Sequence, residues 1–155
     1  MNLKIVGVGK MKEDHWSAAQ AEYLKRLGPL AKVEVIEVTA ERLGGSVSDE
    51  EAMRREGERL LKQVPDGAAV IVLDRTGQQL SSEGFADLLR DTGDTGRTVV
   101  FLIGGAAGLS PKVLVGSERR LSLSEMTLPH ELARVFLIEQ LYRGLNILHG
   151  GKYHR

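Results

Sequence analysis

Residue types able to do chemistry gather in four stretches of this chain. The first is the tail, Lys152-Tyr153-His154-Arg155, which packs a stacking ring, a group titrating near neutrality and two cations into four residues. Ordered over a pocket, it could hold a nucleobase and manage a proton; otherwise a terminal polar segment defaults to disorder. In the second, Glu139 and Arg143 stand four apart with the acid first, the better orientation for an intrahelical ion pair. Buried at an interface, the same pair could be catalytic. The third, Gly104-Gly105-Ala106-Ala107-Gly108, either brings bare backbone close to a ligand or makes a tight strand-to-helix turn. It lacks the Gly-Lys-Ser/Thr of a Walker loop and the spacing of the dinucleotide fingerprint. Gly7-Val8-Gly9 misses that fingerprint too, because Lys12 occupies the third glycine's place. The fourth is Ser124 to Leu128, whose backbone could pair with a heterocycle or merely connect two elements. His130 suits a surface or capping position, and Lys10, Lys12, Arg119, Arg120 and Arg134 could contact phosphates or simply be solvated.

The elements that position these residues alternate. Asn2 to Val8 and Lys32 to Thr39 have the period-two pattern of strands, with a helix from about Asp14 to Leu27 between them. Ser48 with Glu51 has capping-box spacing and opens a charged, outward-lying helix to about Val64. Ala69 to Leu73 and Thr98 to Ile103 are continuously apolar, the mark of strands covered on both faces. Asp74 to Gln79 is expected to be a polar loop, followed by a helix from Ser82 to about Arg90. Ser110-Pro111 caps a short helix to about Val115, and Arg120 to Leu123 is a last strand. This alternation predicts an α/β fold with a mostly parallel sheet and helices on both faces. Loops leaving the carboxyl ends of the strands, Asp74–Gln79, Gly104–Gly108 and Ser124–Leu128, make one pocket if their strands are neighbours.

Pro129 opens the longest apolar helix. Its apolar residues run from Leu132 through Val135, Phe136, Leu137, Ile138, Leu141, Tyr142 and Leu145 to Leu148, far more than one stripe. Such a helix needs cover beyond its own sheet, and the expectation is a homodimer with this helix in the interface and the loop before it at the seam.

Composition narrows the classes. With 155 residues, 42% hydrophobic and 27% charged, the chain is expected to be one globular domain. It has no apolar run near the ~20 residues that span a bilayer and no signal peptide, so no membrane is expected. The absence of cysteine excludes disulfides and thiolate chemistry and fits a cytoplasmic setting. A formal net charge of zero means that any nucleic acid must be met by a local patch.

FLIGGAAGLSP (Phe101–Pro111), LSLSEMTLPHELARVFLIEQLYR (Leu121–Arg143) and the closing YHR resemble the large-subunit ribosomal RNA methyltransferase H family, as do VGVGK and AEYLKRL nearer the start. The resemblance spans the chain. It implies a SPOUT-class methyltransferase domain over 1–155, with a C-terminal trefoil knot, acting as a homodimer that binds S-adenosyl-L-methionine without metal. The implied reaction is methylation of N3 of a pseudouridine in the helix-69 loop of 23S rRNA on the assembled ribosome. Carried over by position, cofactor contacts fall on Leu73, Gly104, Gly105, Leu123, Ser124, Glu125, Met126, Thr127 and Leu128. Tyr153, His154 and Arg155 would complete the neighbouring subunit's site, with His154 as base and Arg143 or Arg155 stabilising charge on the uracil ring. The alternatives are a non-enzymatic ribosome- or nucleotide-binding module, or a SPOUT methyltransferase with a different RNA target.

Overall fold

The computed structural model describes residues 1–154, in which five strands alternate with five helices. The strands β1 (Asn2–Val8), β2 (Lys32–Val38), β3 (Ala69–Gln79), β4 (Val99–Ile103) and β5 (Arg119–Ser122) form one sheet, ordered β2-β1-β4-β3-β5. All its pairs are parallel, as the continuous Val/Ile runs of the central strands require. Alternate side chains sort the core into two layers. Leu3, Ile5, Ile71, Phe101 and Ile103 meet Leu27 of α1 (Asp14–Leu27), Phe85 and Leu89 of α3 (Ser82–Gly93), and Leu137, Ile138 and Leu141 of α5 (His130–Leu148). On the other face Val6, Val8, Val70, Val72, Val100 and Leu102 meet Leu60 of α2 (Asp49–Leu61) and Val113 of α4 (Pro111–Val115).

Serines cap three of the helices, Ser48 and Ser110 as expected and Ser81 in addition. Ser48 accepts from Glu51 N–H at 3.2 Å, Ser81 from Gly84 N–H at 3.1 Å and Ser110 from Val113 N–H at 3.4 Å. Pro129 sits at the cap of α5 with φ −53°, one residue before the first helical position expected for it.

Two expectations need correction. Asp74–Gln79 is not a plain loop, because β3 runs on to Gln79 past an irregularity at which Leu73 and Gln78 both pair with Leu121. Polar composition hid the strand: Asp74 to Gly77 bulge out of the ladder and the two residues beyond them pair again. The apolar circumference of α5 also finds much of its cover inside the chain, between α1 and α3 as well as on the sheet. Gly144 admits α3 closely; a Cβ there would come within 2.9 Å of Leu89. Phe136 remains 39% exposed.

Because Leu141 is wholly buried between these layers, Leu141→Ala is expected to cost about 2–5 kcal/mol. Denaturant unfolding checks this.

Candidate functional site

A strand end becomes a crevice where the chain leaves neighbouring strands toward opposite faces. β4 is such a strand: its chain passes to α4 on one face, whereas β1 and β3 on either side lead to α1 and α3 on the other. Beside that point a cavity of about 860 Å³ opens, bounded by the ends of β3, β4 and β5 and by the first turn of α5. Leu73, Gly104, Gly105, Leu123, Ser124, Met126, Thr127 and Leu128 all line it, so three separate chain crossings converge as the strand order requires. Glu125 does not line it and is exposed, and Met126 holds the rim with 78% of its surface uncovered. Ile103, Leu109, Leu114 and Leu121 add apolar wall, and Arg75, Asp74 and His130 add polar groups. The 124–128 loop is braced by its own serine, whose Oγ accepts from Met126 N–H at 3.0 Å, and Ser122 Oγ donates to the Ser124 carbonyl at 3.0 Å.

The glycines of the β4–α4 turn answer first to packing. A Cβ on Gly104 would press on Gly108 and Leu109 at 3.0 Å, and one on Gly105 would come 2.8 Å from Glu56 Oε2. Gly108 has φ +93°, a conformation that suits glycine. The tight turn therefore explains these residues, and it also leaves their backbone along the cavity. Glu56, which the sequence reading passed over, is 3% exposed beneath this turn. Its Oε1 accepts from Glu41 N–H at 2.9 Å, and burial pushes its carboxyl above the usual carboxylate range. The signal was present: Ala52, Glu56 and Leu60 are four apart and form the inward stripe of α2.

The first turn of α5 is locked to the β1–α1 loop. Arg134, 1% exposed, donates to Glu37 Oε1 at 2.6 Å and to the Gly9 carbonyl at 2.9 Å. That removes it from the candidates for phosphate contact, since its charge is consumed inside the protein. Glu131 accepts from the N–H groups of Lys12 and Glu13, and the Lys12 bond in particular holds its carboxyl below the usual range.

The tail is packed on the second half of α5. Tyr153 N–H donates to Asn146 Oδ1 at 2.9 Å, its ring lies 4.7 Å from that of Tyr142 and tilted 59° to it, and Arg143 lies 4.5 Å over its face. The Tyr153 hydroxyl donates to Glu139 Oε1 at 3.1 Å, the oxygen that also takes Arg143 Nη2 at 2.5 Å. Burial, with help from Tyr23 and Glu139, pushes the phenol well above its ordinary value, so it stays protonated and acts as a donor. His154 Nε2 lies 2.7 Å from Glu83 Oε1, and its Nδ1 is enclosed without a partner among the described residues. Its own backbone N–H, followed by His154 and the Ser81 hydroxyl, draws the Glu83 carboxyl down to about 2. None of Arg143, Tyr153 and His154 lines the cavity. Glu139 stands nine residues along α5 from His130 at the cavity wall, roughly 14 Å of helix. Arg155 lies outside the described residues.

The family described as "Predicted SPOUT methyltransferase" matches residues 1–154. Over 159 aligned residues, covering all of both chains, the sequence is 43% identical to the ribosomal RNA large subunit methyltransferase H of Clostridium tetani (strain Massachusetts / E88). In fold it is similar to a probable methylase family protein from Haemophilus influenzae Rd KW20, with TM-score 0.57 and 14% identity over 99% of this chain and 70% of that one.

The lock at α5 has a pH signature. A carboxyl whose folded value lies below its ordinary 4.5 contributes stability that is complete above that pH and lost as pH falls through the folded value. Glu131→Gln is therefore expected to be less stable than the parent at neutral pH, with the difference closing toward acid. Urea midpoints across the acid range check it.

Proposed function

The chain belongs to the SPOUT methyltransferase family, and on that premise we propose that it methylates large-subunit ribosomal RNA at N3 of a pseudouridine, with S-adenosyl-L-methionine as donor, as a homodimer with a knotted C-terminal segment. The observation that carries the reading is the cavity itself. Its volume of about 860 Å³ suits a nucleoside-sized ligand. Its apolar walls, among them Leu73, Ile103 and Leu128, suit the faces of an adenine, and the backbone of the 104–108 and 123–128 segments offers polar groups to its edge.

When bound, S-adenosyl-L-methionine supplies a sulfonium methyl that is already activated. The chain's tasks are then to align donor and base for in-line displacement, to exclude water and to take the N3 proton. Leu73, Leu123 and Leu128 exclude water. Ser124, Met126 and Thr127, which line the cavity, would hold the donor, with Glu125 outside it. His154 takes the proton: donation from Nε2 to Glu83 leaves its lone pair on Nδ1, which must be uncovered to act. Tyr153 cannot share that role while its phenol is held protonated, and it serves as a stacking surface. Arg143 or Arg155 stabilises the negative charge that develops on the uracil ring. The tail folds on the half of α5 remote from its own cavity, so in this reading it works at the cavity of a second copy. That division supports the homodimer.

Titration calorimetry should record binding of S-adenosylmethionine or its demethylated product to the whole protein; preference for a nucleotide, or no binding, would contradict the donor assignment. Deleting residues 153–155 should abolish methyl transfer to ribosomes while leaving donor affinity largely intact. Undiminished turnover by the shortened chain would refute the role of the tail. Parallel assays on ribosomes, subunits and free RNA identify the target.

A further inference from the structure

The β1–α1 loop is held more firmly than a short connection needs. Its Gly9 carbonyl is bound by Arg134, its Met11 N–H by Glu37 Oε1 at 2.9 Å, and its Lys12 N–H by Glu131, which also takes Glu13 N–H. The clasp requires a buried guanidinium, where a well-packed apolar side chain could have joined α5 to the sheet at less cost. Gly7 is shaped to admit it: a Cβ there would meet Arg134 Nη2 at 2.8 Å. What this arrangement leaves outside is the side chains of Lys10 and Lys12, both exposed and neither in an ion pair among the described residues.

The loop borders the cavity. Gly9, at φ +88°, lies so close to α5 that a Cβ on it would be 3.5 Å from Nε2 of His130, a cavity-wall residue. β1, β4 and β3 are successive neighbours in the sheet, about 4.8 Å apart at each step. Their ends carry in turn the two lysines, the glycine turn and Arg75, which is exposed, lines the cavity and has no ion pair among the described residues. Three nearby carboxylates are occupied: Glu37 and Glu131 form the clasp, and Asp74 accepts from Thr76 N–H at 3.1 Å and from its hydroxyl at 3.0 Å. Glu13 and Asp14, exposed at the start of α1, form no ion pair among the described residues, and the positive end of that helix offsets part of their charge. In a chain of zero net charge this is the local patch a polyanion would need.

We propose that the clasped β1–α1 loop grips RNA phosphates: Lys10 and Lys12 hold the backbone of the strand whose target base enters the cavity, with Arg75 on the far side, and Arg134 and Glu131 are positioning residues that fix the two lysines at the mouth. The proposal rests on the reading of the chain as an RNA methyltransferase. It adds where the RNA backbone lies and which groups meet it.

Co-sedimentation of the whole protein with purified ribosomes at graded salt tests it, alongside calorimetry with S-adenosylmethionine. The variant Lys10→Ala/Lys12→Ala, altered only on the surface, should bind ribosomes at least about tenfold more weakly, and its slope of log affinity against log salt should be shallower by about 1.4 to 1.8. Its donor affinity should equal the parent's. Arg134→Met should weaken ribosome binding with donor affinity kept and should add little to the double lysine change, because both act through one contact. A merely structural arginine would lower both affinities together. A double lysine variant with the parent's affinity and slope, or a parent that fails to co-sediment at any salt, overturns the proposal. Binding is read without methyl transfer, so a protein that grips ribosomes through these lysines but takes no donor would refute the donor assignment and leave the phosphate grip standing.

Discussion

The structure depends on α5 being both the deepest helix and the longest lever. Its 19 residues span about 28 Å, and it is wedged between α1 and α3 over the sheet by Leu137, Ile138 and Leu141. That burial fixes its axis. Because its first turn forms a wall of the cavity and its second half carries the tail, fixing the axis also fixes the separation between the two. A rigid rod keeps the tail's chemical groups away from the cavity of the same copy, and in the proposed function a second copy unites them.

The same rod organises the charges. At its start, Glu131 and Arg134 reach across to the β1–α1 loop; farther along, Glu139 gathers Arg143 and the Tyr153 hydroxyl. In each cluster a carboxylate takes more than one donor, and each of these two arginines is held by one of them. Glu131 and Arg134 are therefore spent on shape. Lys10, Lys12 and Arg75, in no ion pair among the described residues, are left for the proposed phosphate grip.

Much of the architecture was legible. Continuous apolar runs marked β3 and β4 as inner strands, serine caps marked the starts of α2 and α4, and the rule about strand ends brought Leu73, Gly104 and Met126 to one cavity. Other features were not. The polar residues after Leu73 hid the continuation of β3, because a bulge interrupts the alternation that reveals a strand. The all-round apolarity of α5 pointed to a partner, yet α1 and α3 supply much of its cover, since a period shows how much must be buried and not by what. Arg134 looked like a surface cation; its partner Glu37 is 97 residues away, beyond any local pattern. The tail's order comes from a tilted ring contact with Tyr142 and bonds to Asn146 and Glu139, contacts that exist only once α5 has formed.

Complementation between two inactive variants addresses the central claim most directly. One carries a filled cavity, Leu128→Trp, with its tail intact; the other keeps its cavity and lacks residues 153–155. Each alone should transfer no methyl groups to ribosomes. After subunit exchange, a tail that serves the opposite cavity restores transfer in the mixed dimers, whereas mixed dimers that form and remain inactive would contradict the account.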